Sequence, residues 1–309
     1  MPYDPTSLAG KRVLVTGARG FIGRQLTKRL LTLSAEVHGT SRTSLADGEG
    51  VHWHSVDLVA PEAVDTLLSD VAPEVIVHLA GFVSGTRKAE AVRPAFEQNL
   101  TSTVNLLIAT QRQGCSRLVH AGSMEEPSGD HWPPVPGSPY AASKFAASTY
   151  MRFFHALYGL PVAIARIFMV YGPDQPDKNK LVPYTIRTLL EGDSPEISSG
   201  TRQIDWIHVD DAVEGLIALM AAPGIEGETL DLGSGSLTSI ADVVRKLADL
   251  VGAPEAPRFG ARADRPLEGE PSADVESTVR RCGWRPRVPL EEGLRQTVNW
   301  YRQRFDTSH

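Results

Sequence analysis

The chain has 309 residues, of which 41% are hydrophobic and 22% charged, an ordinary globular composition with material for a large core. A formal net charge of −6 leaves no basic footprint for nucleic acid or an anionic membrane surface, and no apolar run of about eighteen residues marks a membrane span. Two cysteines, Cys115 and Cys282, form neither a disulfide framework nor a metal-ligand cluster, and residues 1–10 carry no apolar signal core, so a cytoplasmic protein without a metal is expected.

Residues 13–16 are a β-branched apolar run that meets glycines at 17, 20 and 23. An amphipathic segment follows, residues 22–33, in which Ile22, Leu26, Leu30 and Leu33 recur at helical spacing. This reads as strand, tight turn, helix. Gly17 lets the chain turn sharply, Gly20 lets backbone approach a pyrophosphate, and Gly23 lets the helix pack on the sheet with its positive N-terminus aimed at phosphate. Glycines alone mark many turns; directly after a strand, with a second strand beyond the helix, they mark a dinucleotide site. That second strand, 36–40, ends at Ser41-Arg42-Thr43. An acidic residue there would hold a free ribose 2′-hydroxyl, whereas Ser41 and Arg42 suit a 2′-phosphate. The charge logic favours NADP(H) over NAD, with Arg19 as a second grip on that phosphate.

A third strand, 51–56, is closed by Asp57, suited to the adenine end of a cofactor. Pro61 starts a helix over 61–71. Residues 75–81 are a nearly uninterrupted apolar run, hence a strand buried on both faces, with His78 read as a satisfied strand-end histidine. A long helix over 93–113 places Phe96, Leu100, Val104, Leu107 and Ile108 on one face, with Asn99 and Asn105 at polar positions. The strand at 117–121 delivers Gly122-Ser123-Met124-Glu125-Glu126 to the carboxyl edge of the sheet. A proline-rich loop, 132–139, leads to a helix over 140–158, and a strand over 160–168 ends at Met169-Val170-Tyr171-Gly172-Pro173. The alternation argues for an α/β fold with a doubly wound parallel sheet.

Past residue 173 the rhythm changes. A polar loop at 174–180 precedes a helix at 181–191, a short strand at 203–209, a helix at 210–221, a strand at 229–232 and a helix at 239–251. A segment rich in Pro, Arg and Gly, 254–271, precedes a last helix at 290–305. The expected division is a dinucleotide-binding domain over 1–173, taking sheet and helix elements from 203–235, and a small discontinuous substrate-binding lobe mainly over 174–309.

The chemistry concentrates in Ser123, Tyr140 and Lys144. Tyr140 and Lys144 are four apart, on one face of a helix one turn from each other. A tyrosine with its ordinary pKa near 10 is a poor acid or base at neutral pH, and a neighbouring ammonium favours the phenolate. Ser123 can hydrogen-bond the same substrate oxygen. Together they could handle an alcohol and its ketone while a nicotinamide exchanges hydride.

At these residues the sequence resembles the extended short-chain dehydrogenase/reductases that act on nucleotide sugars. The likeness runs through Gly17-x-x-Gly20-x-x-Gly23, Asp57, His78-Leu79-Ala80, Asn99, Ser123, Tyr140-x-x-x-Lys144, Arg166, Tyr171-Gly172-Pro173, Val209-Asp210-Asp211, Arg262, Gly283-Trp284 and Trp300. It implies a Rossmann-type fold in which Tyr140 is the acid/base, Lys144 lowers its pKa and holds the nicotinamide ribose, Ser123 polarises the carbonyl and Asn99 supports them. It places Phe21, Ile22, Leu58, Leu79, Ala80, Gly81 and Ile167 beside the cofactor with the residues already named. On the substrate side it places Ser84, Met124, Glu125, Met169, Val182, Arg202 and Arg262. A homodimer through the helices at 93–113 and 140–158 is also implied.

Within the family, residues 122–126 look like the segment of 4-keto-6-deoxy nucleotide-sugar reductases, and residues 36–42 resemble the NADP-using branch. The 4,6-dehydratases usually carry an acid where Met124 stands, and the family commonly has Asn and Arg on the diphosphate where this chain has Met169 and Ile204; Arg202, Arg262 or Lys180 could substitute. The expectation is NADPH-dependent reduction of a 4-keto (deoxy) nucleotide sugar with Tyr140 as proton donor. The alternatives are a 4-epimerase or 4,6-dehydratase that recycles NAD(P), and a non-catalytic dinucleotide-sensing protein, which would predict a broken catalytic set.

Overall fold

The apolar runs become strands buried on both faces: Val13, Leu14 and Val15 are fully enclosed, as are Ile76 and Val77. The computed structural model describes residues 3–43, 46, 48, 50–127, 134–253, 255–265, 267 and 269–306. Trp132 and Pro133 of the proline-rich loop, Pro254, and the first two residues of the amino-terminal segment lie outside them.

In chain order the elements begin β1 (Arg12–Thr16), α1 (Phe21–Thr32), β2 (Glu36–Ser41), β3 (Val51–Ser55), α2 (Pro61–Val71) and β4 (Val75–His78). They continue with α3 (Val92–Ala95), a π-helical turn (Phe96–Thr101), α4 (Ser102–Gln113), β5 (Arg117–Ser123), α5 (Pro139–Tyr158), β6 (Val162–Ile167) and β7 (Met169–Tyr171). The remainder is α6 (Leu181–Leu190), β8 (Gln203–His208), α7 (Val209–Ala221), β9 (Thr229–Leu232), β10 (Leu237–Ser239), α8 (Ile240–Val251), α9 (Val275–Cys282) and α10 (Leu290–Asp306).

A seven-stranded sheet runs β3-β2-β1-β4-β5-β6-β9, with β1 to β6 paired in parallel. The strand order reverses between β1 and β4, whose register sets Thr16 beside His78, and ligands of such sheets bind outside the carboxyl ends at that reversal. Leu14, Ile76, Leu118 and Ile164 of the sheet pack with Leu106 and Leu107 of α4 and Met151 and Phe154 of α5.

The chain forms two compact units. One comprises Met1–Ile167, Val213–Asp231 and Glu276–Arg285; the other comprises Phe168–Ala212, Leu232–Val275 and Pro286–His309. In the second unit β8 pairs in parallel with β7 and antiparallel with β10. The Asp205 carboxylate organises it, accepting hydrogen bonds from the backbone N–H groups of Ser234, Gly235 and Ala273 and from the Ser234 hydroxyl at 2.6 to 3.0 Å.

Three local expectations differ from the structure. The helix expected over 93–113 is α3, a π-helical turn and α4 in succession. The extra residue per turn rotates the face: Leu107 is buried as expected, but Phe96 is 55% and Ile108 38% exposed, while Asn99, Thr103, Leu106 and Thr110 turn inward. The short elements β10 and α9 fall where the sequence shows no sustained periodicity.

Candidate active site

The glycine turn has the shape its spacing predicts. Gly17 sits at φ +68°, and a Cβ there would lie 2.7 Å from the Ala80 amide nitrogen; a Cβ on Gly23 would lie 2.2 Å from the Gly17 carbonyl oxygen. Strand, turn and helix therefore touch backbone to backbone. Gly20 caps α1 in an extended conformation with no side-chain cap hydrogen bond, so the first-turn N–H groups at Phe21, Ile22 and Gly23 point out of a glycine turn, the arrangement that receives a pyrophosphate. Arg19 is exposed on the same turn. Ser41 ends β2 with its hydroxyl accepting from the Thr43 amide at 3.2 Å, and Arg42 is exposed beside it. Asp57 is exposed with a carboxylate oxygen accepting from the Val59 amide at 3.0 Å, Leu58 is buried, and Asn105 donates to the carbonyls of Leu58 and Val59 at 3.1 and 2.9 Å. These residues fit a bound nicotinamide dinucleotide.

Buried polar chains fix the floor of this site. Ala80 donates its N–H to the Thr16 hydroxyl, and the Thr16 oxygen lies 2.7 Å from His78 Nδ1. On the other side His78 Nε2 is 3.0 Å from the Thr103 hydroxyl, which donates to the Asn99 carbonyl at 2.6 Å. Because Thr103 spends its proton on Asn99, His78 carries its own on Nε2 and accepts from Thr16 at Nδ1. The imidazole is neutral, and its burial, reinforced by the Lys144 charge, pushes its pKa down to about 3. His78 is thus the satisfied strand-end histidine expected.

Asn99, buried in the π-helical turn, accepts from the Phe82 amide at 2.6 Å and donates to the Phe82 carbonyl and the Ser143 hydroxyl at 3.0 and 2.8 Å. Gly81 crosses next to it: a Cβ there would be 2.6 Å from the Asn99 side-chain oxygen. Leu79 and Ala80 line the same turn, half-buried, and Ile167 is buried at the end of β6. Ser84 is half-buried, its hydroxyl accepting from the Thr86 amide at 3.3 Å.

The three residues singled out for chemistry converge. Ser123 ends β5, and α5 starts at Pro139 because the Ser138 hydroxyl accepts from the Ala141 amide at 3.0 Å and proline fits the first helical position. Tyr140 and Lys144 then share one face of α5. The Ser123 side chain hydrogen-bonds the Tyr140 phenol, and its oxygen also accepts from the Glu125 amide at 3.2 Å, which leaves the hydroxyl proton for a donor role. Desolvation, together with the carboxylates of Glu125 and Glu126, pushes the Tyr140 pKa up, against the Ser123 hydrogen bond. Burial pushes Lys144 down to about 8, opposed by the charge of Glu126. The expected lowering of Tyr140 by Lys144 is therefore not the governing influence in this structure: packing of the phenol and two nearby carboxylates outweigh it.

Met124 is buried and donates its amide N–H to the Ile167 carbonyl at 3.0 Å. Glu125 is half-buried, 3.5 Å from the Ser138 hydroxyl. Glu126, named in the sequence without a role, accepts from the Ser123 amide at 2.8 Å and from the Ser148 hydroxyl at 3.0 Å. Ser148 follows Lys144 by four residues and Thr103 follows Asn99 by four, so helical spacing was the signal that could have found both.

In the second unit, Met169 is half-buried in β7, Val182 is packed into the interior on α6, and Ile204 is buried in β8. Arg202 donates to the Gly269 carbonyl at 3.1 Å, and the Arg262 guanidinium lies 4.7 Å from the centre of the Tyr184 ring. Among the described residues no group of three or more His, Cys, Asp or Glu could hold a metal ion, and no helix is long and apolar enough to cross a membrane.

The NAD dependent epimerase/dehydratase family model matches residues 13–233. A UDP-glucose 4-epimerase of Mycolicibacterium smegmatis is 32% identical over 319 residues, covering 95% of this chain and 99% of that protein. A dTDP-glucose 4,6-dehydratase of Actinoplanes sp. is 30% identical, covering 94% of this chain and 98% of its own. The crystal structure of Thermus thermophilus UDP-glucose 4-epimerase in complex with NAD superimposes with a TM-score of 0.82 at 30% identity, covering 94% of this chain and 99% of that one.

Proposed function

The chain belongs to the NAD dependent epimerase/dehydratase family, an enzyme of the extended short-chain dehydrogenase/reductase type, and from that premise we propose that it is a nucleotide-sugar 4-epimerase. The observation that carries this reading is the convergence of Ser123, Tyr140 and Lys144 beside a glycine turn shaped for a dinucleotide. Tyr140 takes the proton from the C4 hydroxyl as that carbon is oxidised and returns it on reduction. Ser123 donates to the same oxygen, and Lys144 supplies positive charge behind the phenol and a donor to the ribose. A bound nicotinamide would supply the reversible exchange of hydride. Met124 speaks against dehydration, since its thioether cannot donate the proton that expels water.

Incubation with UDP-glucose, UDP-galactose or a dTDP-sugar and a trace of cofactor is expected to give the C4 epimer without net loss of reduced-nicotinamide absorbance. Loss of cofactor in proportion to product would overturn epimerisation and support the second reading, reduction of a 4-keto nucleotide sugar by NADPH. The strand end favours that second reading, because Ser41, Arg42 and Thr43 offer a cation and hydroxyls where a carboxylate would exclude a 2′-phosphate. Arg42→Ala is expected to weaken NADPH binding about tenfold or more, the scale of a charge-assisted contact, while leaving NADH binding unchanged. An equal loss for both cofactors in a fluorescence titration removes the preference for NADP(H).

On the substrate side of the first unit we assign Ser84, Met124 and Glu125. The protein acts as a homodimer through the segment 93–113 and α5, a reading supported by the apolar side chains left exposed there, Phe96 of the π-helical turn, Ile108 of α4, and Phe153 and Leu157 of α5 among them.

A further inference from the structure

One carboxylate beside the Ser123, Tyr140 and Lys144 set has no part in the proton transfer proposed for it. Glu126 Oε1 takes two hydrogen bonds, from the Ser123 backbone N–H at 2.8 Å and from the Ser148 hydroxyl at 3.0 Å. Ser148 is fully buried and lies one turn beyond Lys144, so Tyr140, Lys144 and Ser148 form a single stripe along α5. The strand makes room for this arrangement: a Cβ on Gly122 would lie 2.9 Å from Glu126 Oε1. A carboxylate bonded at once to the last residue of β5 and to the Lys144-bearing face of α5 is costly to bury unless its charge is offset, and Lys144 and Arg152 supply the opposite charge.

We infer that Glu126 is a positioning residue of the active site, which ties the Ser123 peptide to the Tyr140-Lys144-Ser148 stripe and supplies the counter-charge that keeps the buried Lys144 an ammonium. This rests on the reading of those three residues as the catalytic set. The groups facing Glu126 and Lys144 are Tyr140 and Arg152 on α5, Glu125 on the same turn, and His120 and His78 on the sheet. Both histidines are held neutral by burial, with Lys144 adding to the effect. Arg152 acts on Glu126 in the same sense as Lys144, whereas Glu125 acts on Tyr140 together with Glu126. Burial pulls Lys144 toward the neutral amine and the Glu126 charge opposes it. Without that charge, Lys144 loses its proton at a lower pH, and Tyr140 is relieved of one of the two carboxylates that push it up.

The test uses Glu126→Gln, which keeps the acceptor oxygen and removes the charge, and Glu126→Asp, which keeps the charge and shortens the arm. The first readout is the pH dependence of trace acetylation of Lys144 in the ligand-free protein, followed by peptide mass spectrometry. A midpoint at about 8 is expected for the unsubstituted protein, and one lower by about one pH unit for Glu126→Gln. Glu126→Asp keeps the midpoint near its original position but lowers kcat, because the Ser123 amide loses its partner. The second readout is the kcat/KM profile, which moves as a whole to lower pH in Glu126→Gln.

A Lys144 midpoint unchanged in Glu126→Gln overturns the inference. If that variant does not fold, Glu126→Asp with full kcat overturns it, and a reduced kcat with the Lys144 midpoint retained supports it. A displaced midpoint in a protein that turns over no nucleotide sugar supports the role of Glu126 while refuting the proposed reaction.

Discussion

Tyr140 and Lys144 were legible as a pair because helical spacing alone puts positions four apart on one face. Their electrostatic state was not legible, because it depends on what packs around them. Desolvation and the carboxylates at 125 and 126 hold the phenol protonated, and burial brings the ammonium to about 8. For Tyr140 to take the C4 proton that bias has to be offset, and the Ser123 hydrogen bond is the influence that pulls the other way. Tyr140→Phe is expected to lower kcat by about two to four orders of magnitude, the usual worth of a positioned acid or base, with the melting temperature little changed. Turnover equal to the unsubstituted enzyme would remove Tyr140 from the reaction. His78 gives a second prediction. Its pKa in the fold is about 3 against an ordinary 6.5, so between those values the unfolded chain binds a proton that the folded one refuses. Its contribution is full above pH 6.5 and is lost as pH falls toward 3, at about 1.4 kcal/mol per pH unit. His120, also pushed down by burial, acts in the same direction. Urea midpoints from pH 7 to 4 should fall, and His78→Asn should flatten that slope; an equally steep slope in the variant refutes the assignment.

At the scale of elements, the β1–turn–α1 unit and the parallel strands were readable, since continuous apolar runs, glycine spacing and 3.6-residue periodicity are local signals. The π-helical turn was not, because the extra residue is held by tertiary hydrogen bonds from Asn99 to Phe82 and Ser143. It rotates α4 so that a stripe expected in the core faces outward in part. The closeness of α1 to its own turn yields a prediction. A Cβ on Gly23 would lie 2.2 Å from a backbone oxygen that has no rotamer to move aside. Gly23→Ala should therefore displace α1, cost about 1–3 kcal/mol in stability as overpacking does, and weaken dinucleotide binding at least about tenfold. Thermal melts and a cofactor titration measure both effects, and an alanine variant that binds normally would show the close approach to be dispensable.

For the whole molecule, each compact unit is built around its own organising contacts: the His78 hydrogen-bonded chain and Asn99 in one, the Asp205 carboxylate in the other. The discontinuous make-up of both units is why the later half of the sequence read as a change of rhythm without a clean boundary. Along α5, of about 30 Å at 1.5 Å per residue, the amino-terminal turns bear Tyr140 and Lys144, while Tyr150, Phe153, Leu157 and Tyr158 are exposed farther on. Phe153→Glu combined with Leu157→Glu is expected to halve the sedimenting mass, since two charges in an apolar contact cannot be desolvated without partners. A mass that does not change overturns the proposed contact through α5.

A Cβ on Gly122 would lie 2.9 Å from Glu126 Oε1 and 3.0 Å from Ile164 Cγ2, so a side chain there displaces the carboxylate from its hydrogen-bonded place. The two positions consequently constrain one another through descent. Among relatives with this fold, those bearing a side chain at the position before the strand-end serine should carry a residue shorter than glutamate three places after that serine. A full-length glutamate should be found there only alongside glycine.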